Sequence, residues 1–271
     1  MMEARYALVT GAAGGIGREV ARRFRRQGYT VLAVERNDEL SKNAAWEIGD
    51  GTVAIACDLS DAESVSALEG RIEGEWSDRL EVCFLNAGVI VPGEVKDSTV
   101  AELELQMAVM LTSTLRLARS ATRVFTPKNR GHLIATVSEG AILALPGSAA
   151  YSAAKAGLRA FLAALSYELR GTDVVVSGIY PSAVDTPMLR HEATHGGSLL
   201  NFIGKISTVD DVADAVEKAL SKSRLEIYVP YGDSILSRVL QCVPWLVPTL
   251  LPIGEKLGEK GRRKFLASIE Q

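Results

Sequence analysis

Cysteine is nearly missing from this 271-residue chain. Cys57, Cys83 and Cys242 make an odd count with no C-x-x-C pair, which argues against a disulfide framework or a dithiol redox motif. Histidine is as scarce, at three residues. An excess of one charge is missing too: 30 lysines and arginines face 33 aspartates and glutamates, for a net charge of -3. Nucleic acid therefore has no electrostatic footing and is set aside as a partner. The N-terminal stretch shows no charged segment followed by an apolar run of the kind that directs secretion, so a reducing, cytoplasmic setting is expected. No internal repeat or low-complexity linker interrupts residues 1–271, which predicts one domain, long but within the usual range for α/β chains.

What is present is 47% hydrophobic and 23% charged, the balance of a globular protein. Short runs rich in valine, leucine and isoleucine alternate with longer helical patterns, the rhythm of βαβ units. Strands are predicted at Ala4 to Val9, Thr30 to Val34, Thr52 to Ala56, Leu80 to Leu85, His132 to Val137, Val174 to Ile179 and Glu226 to Val229. Helices are predicted between them, among others at Gly15 to Gln27, Asp61 to Glu75, Val100 to Phe125, Ala149 to Arg170 and Val209 to Lys222. The expected fold is α/β: a doubly wound parallel sheet of about seven strands with helices on both faces.

The first strand runs into Thr10-Gly11-Ala12-Ala13-Gly14-Gly15-Ile16-Gly17, and a helix follows at once. Glycines permit positive φ and close backbone approach, and the helix N-terminus carries partial positive charge, so the loop suits a pyrophosphate. An ordinary strand-to-helix turn is the alternative. About twenty residues on, the second strand ends in Glu35-Arg36, where an adenosine ribose would lie. A carboxylate at Glu35 would accept from both ribose hydroxyls and repel a 2′-phosphate, favouring NAD over NADP. With Glu35 turned away, Arg36 would instead clamp that phosphate. Asp58 and Leu59 after the third strand, and Asn86, Ala87 and Gly88 after the fourth, fall at the carboxyl edge of the sheet, where ligands of open α/β sheets sit.

Ser138, twelve further residues, Tyr151, three more and Lys155 make the most informative stretch. Tyr151 and Lys155, four apart, share a helical face, so the ammonium is expected beside the phenol, lowering its pKa and making Tyr151 an acid or base. Ser138, at the sheet edge, would donate a hydrogen bond to a substrate oxygen.

These motifs together resemble the short-chain dehydrogenase/reductase family, in order and from about residue 4 to 230. The resemblance implies a Rossmann-type sheet binding NAD or NADP, catalysis by Ser138, Tyr151 and Lys155, and hydride transfer to or from a hydroxyl or keto carbon. It adds Lys155 as an anchor for the nicotinamide ribose, and Pro181 and Thr186 as further cofactor contacts. A homodimer or homotetramer packed through the two longest helices is implied as well. Two positions depart from the family pattern: Met110 stands where an asparagine is usual, and Ser182 follows Pro181 in place of glycine.

His191-Glu192-Ala193-Thr194-His195 matches the zinc motif H-E-x-x-H, but Gly196-Gly197 would end the helix at once, so no metal is expected. Residues 187–207 read better as a substrate lid. In the extension of residues 233–271, Ser234 to Ile253 is apolar but holds Arg238, Gln241 and three prolines, which disfavours a spanning helix. Trp245 and the run Arg262-Arg263-Lys264 would suit peripheral membrane contact. The preferred expectation is a cover for the substrate cleft or a subunit interface, hence a bulky hydrophobic alcohol or ketone. A protein of this fold that binds NAD and regulates without turnover is the rival, motivated by Met110.

Overall fold

The computed structural model describes residues 4–269. Seven strands, β1 (Tyr6–Thr10), β2 (Thr30–Glu35), β3 (Thr52–Ala56), β4 (Leu80–Leu85), β5 (Gly131–Thr136), β6 (Val174–Pro181) and β7 (Glu226–Val229), form one parallel sheet in the order 3-2-1-4-5-6-7. The chain winds outward from β1 in one direction and from β4 in the other. Loops leaving these neighbours diverge, and a crevice opens at their carboxyl ends.

The helices are α1 (Gly15–Arg26), α2 (Asp38–Ile48), α3 (Ala62–Glu73), α4 (Val100–Met107), α5 (Ser113–Lys128), α6 (Ala149–Glu168), α7 (Pro187–Thr194), α8 (Val209–Ser221), α9 (Tyr231–Cys242) and α10 (Val247–Ile269). Alternate residues of each central strand face opposite layers. Leu8, Leu32, Leu85 and Leu133 pack with Leu68, Leu117 and Leu158 of α3, α5 and α6 on one side. Val9, Val31, Ala33 and Ile134 pack with Val20, Ala44 and Val216 of α1, α2 and α8 on the other. Both faces being buried, the strands read as unbroken apolar runs, which is why the sequence shows them so clearly.

Strand ends differ from expectation by at most two residues, with Thr10 and Pro181 inside their strands. The helix predicted at Val100 to Phe125 is interrupted by a π-helical turn at Ala108–Thr112 and runs on to Lys128 through Pro127. Helix α2 buries only Ser41, Ala44 and Ile48, a stripe too faint to show as periodicity; the Asn37 side chain caps it by accepting from Leu40 N.

Candidate active site

The turn after β1 is set by Gly11, whose φ of 68° lies in the left-handed region. A Cβ on Gly17 would overlap the carbonyl oxygen of Gly11, so the helix can start this close to the loop only without a side chain there. Gly11, Gly15 and Ile16 line a cavity of about 1170 Å³ along the carboxyl edge of the sheet. Thr10, 2% exposed, and Gly17 stand behind it, so they brace the loop rather than face the cavity. Thr10 Oγ1 accepts from the backbone N–H groups of Asn86 and Ala87 at 2.9 and 3.0 Å.

Beside the loop, Glu35 Oε1 accepts from Ala13 N at 2.7 Å, which keeps the carboxylate inside the cleft, while Arg36 is exposed. Asp58 borders the same end, its carboxylate taken up by the N–H and hydroxyl of Ser60. Leu59, Gly88, Pro181 and Thr186 also line the cavity. Thr186 caps α7 by accepting from Leu189 N, and its methyl group comes close to Gly15. A bare glycine loop at a helix N-terminus, a carboxylate held against that loop at the end of β2 and a large cleft lined by both fit a dinucleotide.

Ser138, Tyr151 and Lys155 converge on the middle of this cleft, Ser138 just past β5 and the other two on α6. Gly140 packs over both Ser138 and Tyr151; a Cβ there would meet Ser138 Oγ and Tyr151 Cε1 at 3.4 Å each. Ser138 Oγ accepts from Gly140 N at 3.0 Å, leaving its O–H free to donate. Lys155 is 3% exposed and donates from Nζ to Thr136 O at 2.7 Å. Thr136 Oγ1 donates to Asn86 Oδ1 at 2.9 Å, and Asn86 Nδ2 reaches the carbonyls of Thr10 and Gly11. One chain of hydrogen bonds therefore ties the lysine to the glycine loop.

The phenol departs from expectation. Lys155 Nζ lies 5.8 Å from the Tyr151 ring centre, turned toward Thr136, and does not offset desolvation. Burial pushes the phenol up to about 12; the Ser138 hydroxyl pulls it down and Glu192 pushes it further up. Burial also brings Lys155 down to about 8. At neutral pH both groups keep a proton to give.

Met110 lies in the π turn, fully buried, with its sulfur against Gly88. Glu139 faces inward: Oε2 accepts from Ser237 Oγ at 3.1 Å, Oε1 is buried without a partner, and burial raises its pKa. The H-E-x-x-H segment does form a helix, α7, on which the His191 and His195 rings stack at 4.0 Å. Glu192 turns the other way into the cleft, 7% exposed, and accepts from Asn201 Nδ2 at 3.0 Å. Its placement inside the site was missed by sequence reasoning; the signal was its position beside Leu189 and Ala193 on the apolar side of a short helix.

Burial moves the Glu192 carboxyl from 4.5 to about 7. Between those values the folded chain holds a proton that the unfolded chain has released, so this group stabilises the fold at acid pH and loses that contribution as pH rises through 7. Glu192→Gln keeps the bond from Asn201 without the charge. The variant is expected to match the parent at pH 4 and exceed it by about 3 kcal/mol at pH 8. Urea denaturation at the two pH values checks this, and an equal gain at both would contradict it.

The roof is built from the lid and the tail. A short 3₁₀ turn at Leu199–Phe202 in the lid lies against α10, where Gly254, Gly258 and Gly261 leave one side of the helix bare. A Cβ on Gly258 or Gly261 would overlap the carbonyl oxygen of Leu199 or Phe202. Phe202 and Phe265 close the contact with ring centres 5.6 Å apart. Helix α9 is held by the Ser237–Glu139 bond and by Arg238, whose guanidinium lies 4.7 Å from the Tyr228 ring centre. The expectation that the tail covers the cleft agrees with Leu240, Val247 and Leu251 lining it.

A family model described as short chain dehydrogenase matches residues 5–196. This chain belongs to that family of oxidoreductases, with its nucleotide-binding Rossmann sheet. The 1-deoxy-11-beta-hydroxypentalenate dehydrogenase of Streptomyces exfoliatus is 33% identical, over 84% of this chain and 83% of its own. The mitochondrial borneol dehydrogenase of Lavandula x intermedia is 28% identical, over 79% and 82%. A solved short-chain dehydrogenase from Sphingobium yanoikuyae, in complex with NADPH, superposes with a TM-score of 0.77 over 90% of this chain and 95% of its own, at 22% identity. The family match ends at Gly196, so the second half of the lid and the whole tail lie beyond it.

Proposed function

We propose that this chain is a single-domain, cytoplasmic enzyme that moves a hydride between NAD and a secondary alcohol or ketone carbon of a bulky hydrophobic substrate. The observation that carries the reading is the convergence of Ser138, Tyr151 and Lys155 in one cleft with the glycine loop. A nicotinamide bound there supplies the hydride for reduction or takes it up in oxidation. Ser138 donates its free O–H to the substrate oxygen and holds it beside the phenol. Tyr151 keeps its proton until negative charge develops on that oxygen, then donates it; in the reverse direction the phenol first gives up its proton to solvent, and the phenolate oxygen then accepts the one leaving the alcohol. Lys155, at the end of the Asn86–Thr136 chain, would hold the nicotinamide ribose with a charged donor. The apolar roof supports a greasy substrate, and the borneol and pentalenate dehydrogenases among its relatives point the same way. Following nicotinamide absorbance with hydrophobic secondary alcohols and ketones tests this, and no turnover of any would count against it.

Glu35 supports the preference for NAD, since a 2′-phosphate would meet its carboxylate. Fluorescence titration is expected to show tighter binding of NADH than NADPH. Glu35→Ala should narrow the ratio by about tenfold or more, equivalent to about 1.4 kcal/mol; an unchanged ratio would remove Glu35 as the selector. Met110 favours a second reading, a cofactor-binding protein with weak turnover, because a buried thioether donates no hydrogen bond. Binding of NADH without turnover would move the assignment there. Packing into homodimers or homotetramers through α4–α5 and α6 is part of the first reading and is checked by sedimentation.

A further inference from the structure

Nine of the sixteen large hydrophobic side chains that stand exposed among the described residues fall between Tyr231 and Leu257. On α9 they are Tyr231, Ile235, Leu236 and Val239; Trp245 and Leu246 form the bend; Leu250, Ile253 and Leu257 follow on α10. The spacings place Ile235, Leu236 and Val239 on one side of α9, and Leu250, Ile253 and Leu257 on one side of α10. Trp245, at the apex, is 70% exposed. Lys260 and Lys264 continue that side of α10 and Lys256 flanks it, all exposed. Between Tyr231 and Ile269 six basic residues face three acidic ones, although the whole chain carries a net charge of -3. Among the described residues no single helix is long and apolar enough to cross a bilayer, and α9 and the segment from Pro244 meet at a bend of 100°.

Leu236, Leu250, Ile253 and Leu257 belong to two surfaces at once, lining the cleft and standing exposed on the outside. The mouth of the cleft therefore opens through the apolar face. We infer that this face is a membrane-docking surface, on which α9, the Trp245 bend and α10 rest in the headgroup layer of an anionic bilayer, and that substrate enters the cleft from the lipid. An amphipathic surface helix with an aromatic anchor and a lysine stripe has the composition such docking needs. Anionic headgroups attract the lysines, which compensates for the negative charge of the rest of the chain. A second copy seated on this face would stopper the mouth, and a two-fold pairing would bring the lysine stripes together. A bilayer leaves the mouth facing the phase in which a greasy alcohol or ketone dissolves. This inference rests on the proposed function only for the nature of what enters.

The test is flotation of the full chain with vesicles of phosphatidylcholine, with and without phosphatidylglycerol. The chain should float with the anionic vesicles and be released in part by salt. In the double variant Val239→Glu, Trp245→Glu, which alters no residue lining the cleft, the floated fraction should fall at least about tenfold, equivalent to about 1.4 kcal/mol, with NADH affinity unchanged. A chain that stays in the dense fraction with both vesicle types would overturn the inference. So would flotation indifferent to the double variant, or a soluble dimer that the double variant splits. Flotation needs neither cofactor nor turnover, so a chain that floats and reduces no ketone would sink the proposed function and leave the docking intact.

Discussion

Tyr151→Phe is expected to lower turnover by about 10²- to 10⁴-fold in either direction while leaving NADH affinity within about twofold. The ring sits over a cleft floor shared with Ser138 and Lys155, and phenylalanine keeps its shape while removing the phenolic proton. In a cleft roofed by leucines and valines, water has poor access to take the phenol's place as proton donor. The measurement is steady-state rate with the best ketone, alongside cofactor titration of the same preparation. Loss of rate with matching loss of cofactor binding would point to a disturbed fold instead, and an unchanged rate would take Tyr151 out of the proton step.

The second large effect is expected far from the sheet. In an isolated helix, glycine to alanine stabilises by about 1 kcal/mol, so Gly258→Ala and Gly261→Ala should each help α10 on propensity alone. Here the added methyl meets a backbone carbonyl of the lid, which cannot swing aside as a long side chain would. Overpacking of that kind costs about 1–3 kcal/mol, so the clash wins and α10 is expected to part from Leu199–Phe202. The double variant should expose the tail to limited proteolysis and lose most activity on bulky ketones. Binding of NADH should persist, because the glycine loop and Glu35 lie at the other end of the cleft. A tail as resistant as the parent's would show that α10 packs on the lid with room for a methyl group at both glycines.

Much of this was legible in the sequence, for identifiable reasons. Central strands buried on both faces leave runs such as Val31 to Val34 that few alternatives can produce, and Gly11 to Gly17 and Tyr151 to Lys155 work through neighbours close in sequence. What depends on distant contacts was not legible. Turning Lys155 toward Thr136 requires β5 and α6 to be in place, so the raised phenol could not be foreseen from a spacing of four. The motif His191 to His195 drew attention to its histidines, whereas the residue that enters the cleft is Glu192, oriented by Asn201 from the other side of the lid. The tail was read as an apolar cover, which agrees with its lining of the cleft, but the helix that provides it was hidden by Pro248 and Pro252. The glycines at 254, 258 and 261 look like helix breakers until the carbonyls they accommodate are known.

The most direct test of hydride transfer is an isotope experiment. NADH carrying deuterium at the transferable C4 position is incubated with the chain and a bulky hydrophobic ketone, and the alcohol product is analysed by mass spectrometry. Hydride transfer in the Ser138–Tyr151–Lys155 cleft predicts one deuterium on the carbinol carbon, formed by the parent and reduced about a hundredfold or more by Tyr151→Phe. Alcohol formed equally by Tyr151→Phe, or no labelled alcohol from a parent chain shown to bind NADH, would contradict it.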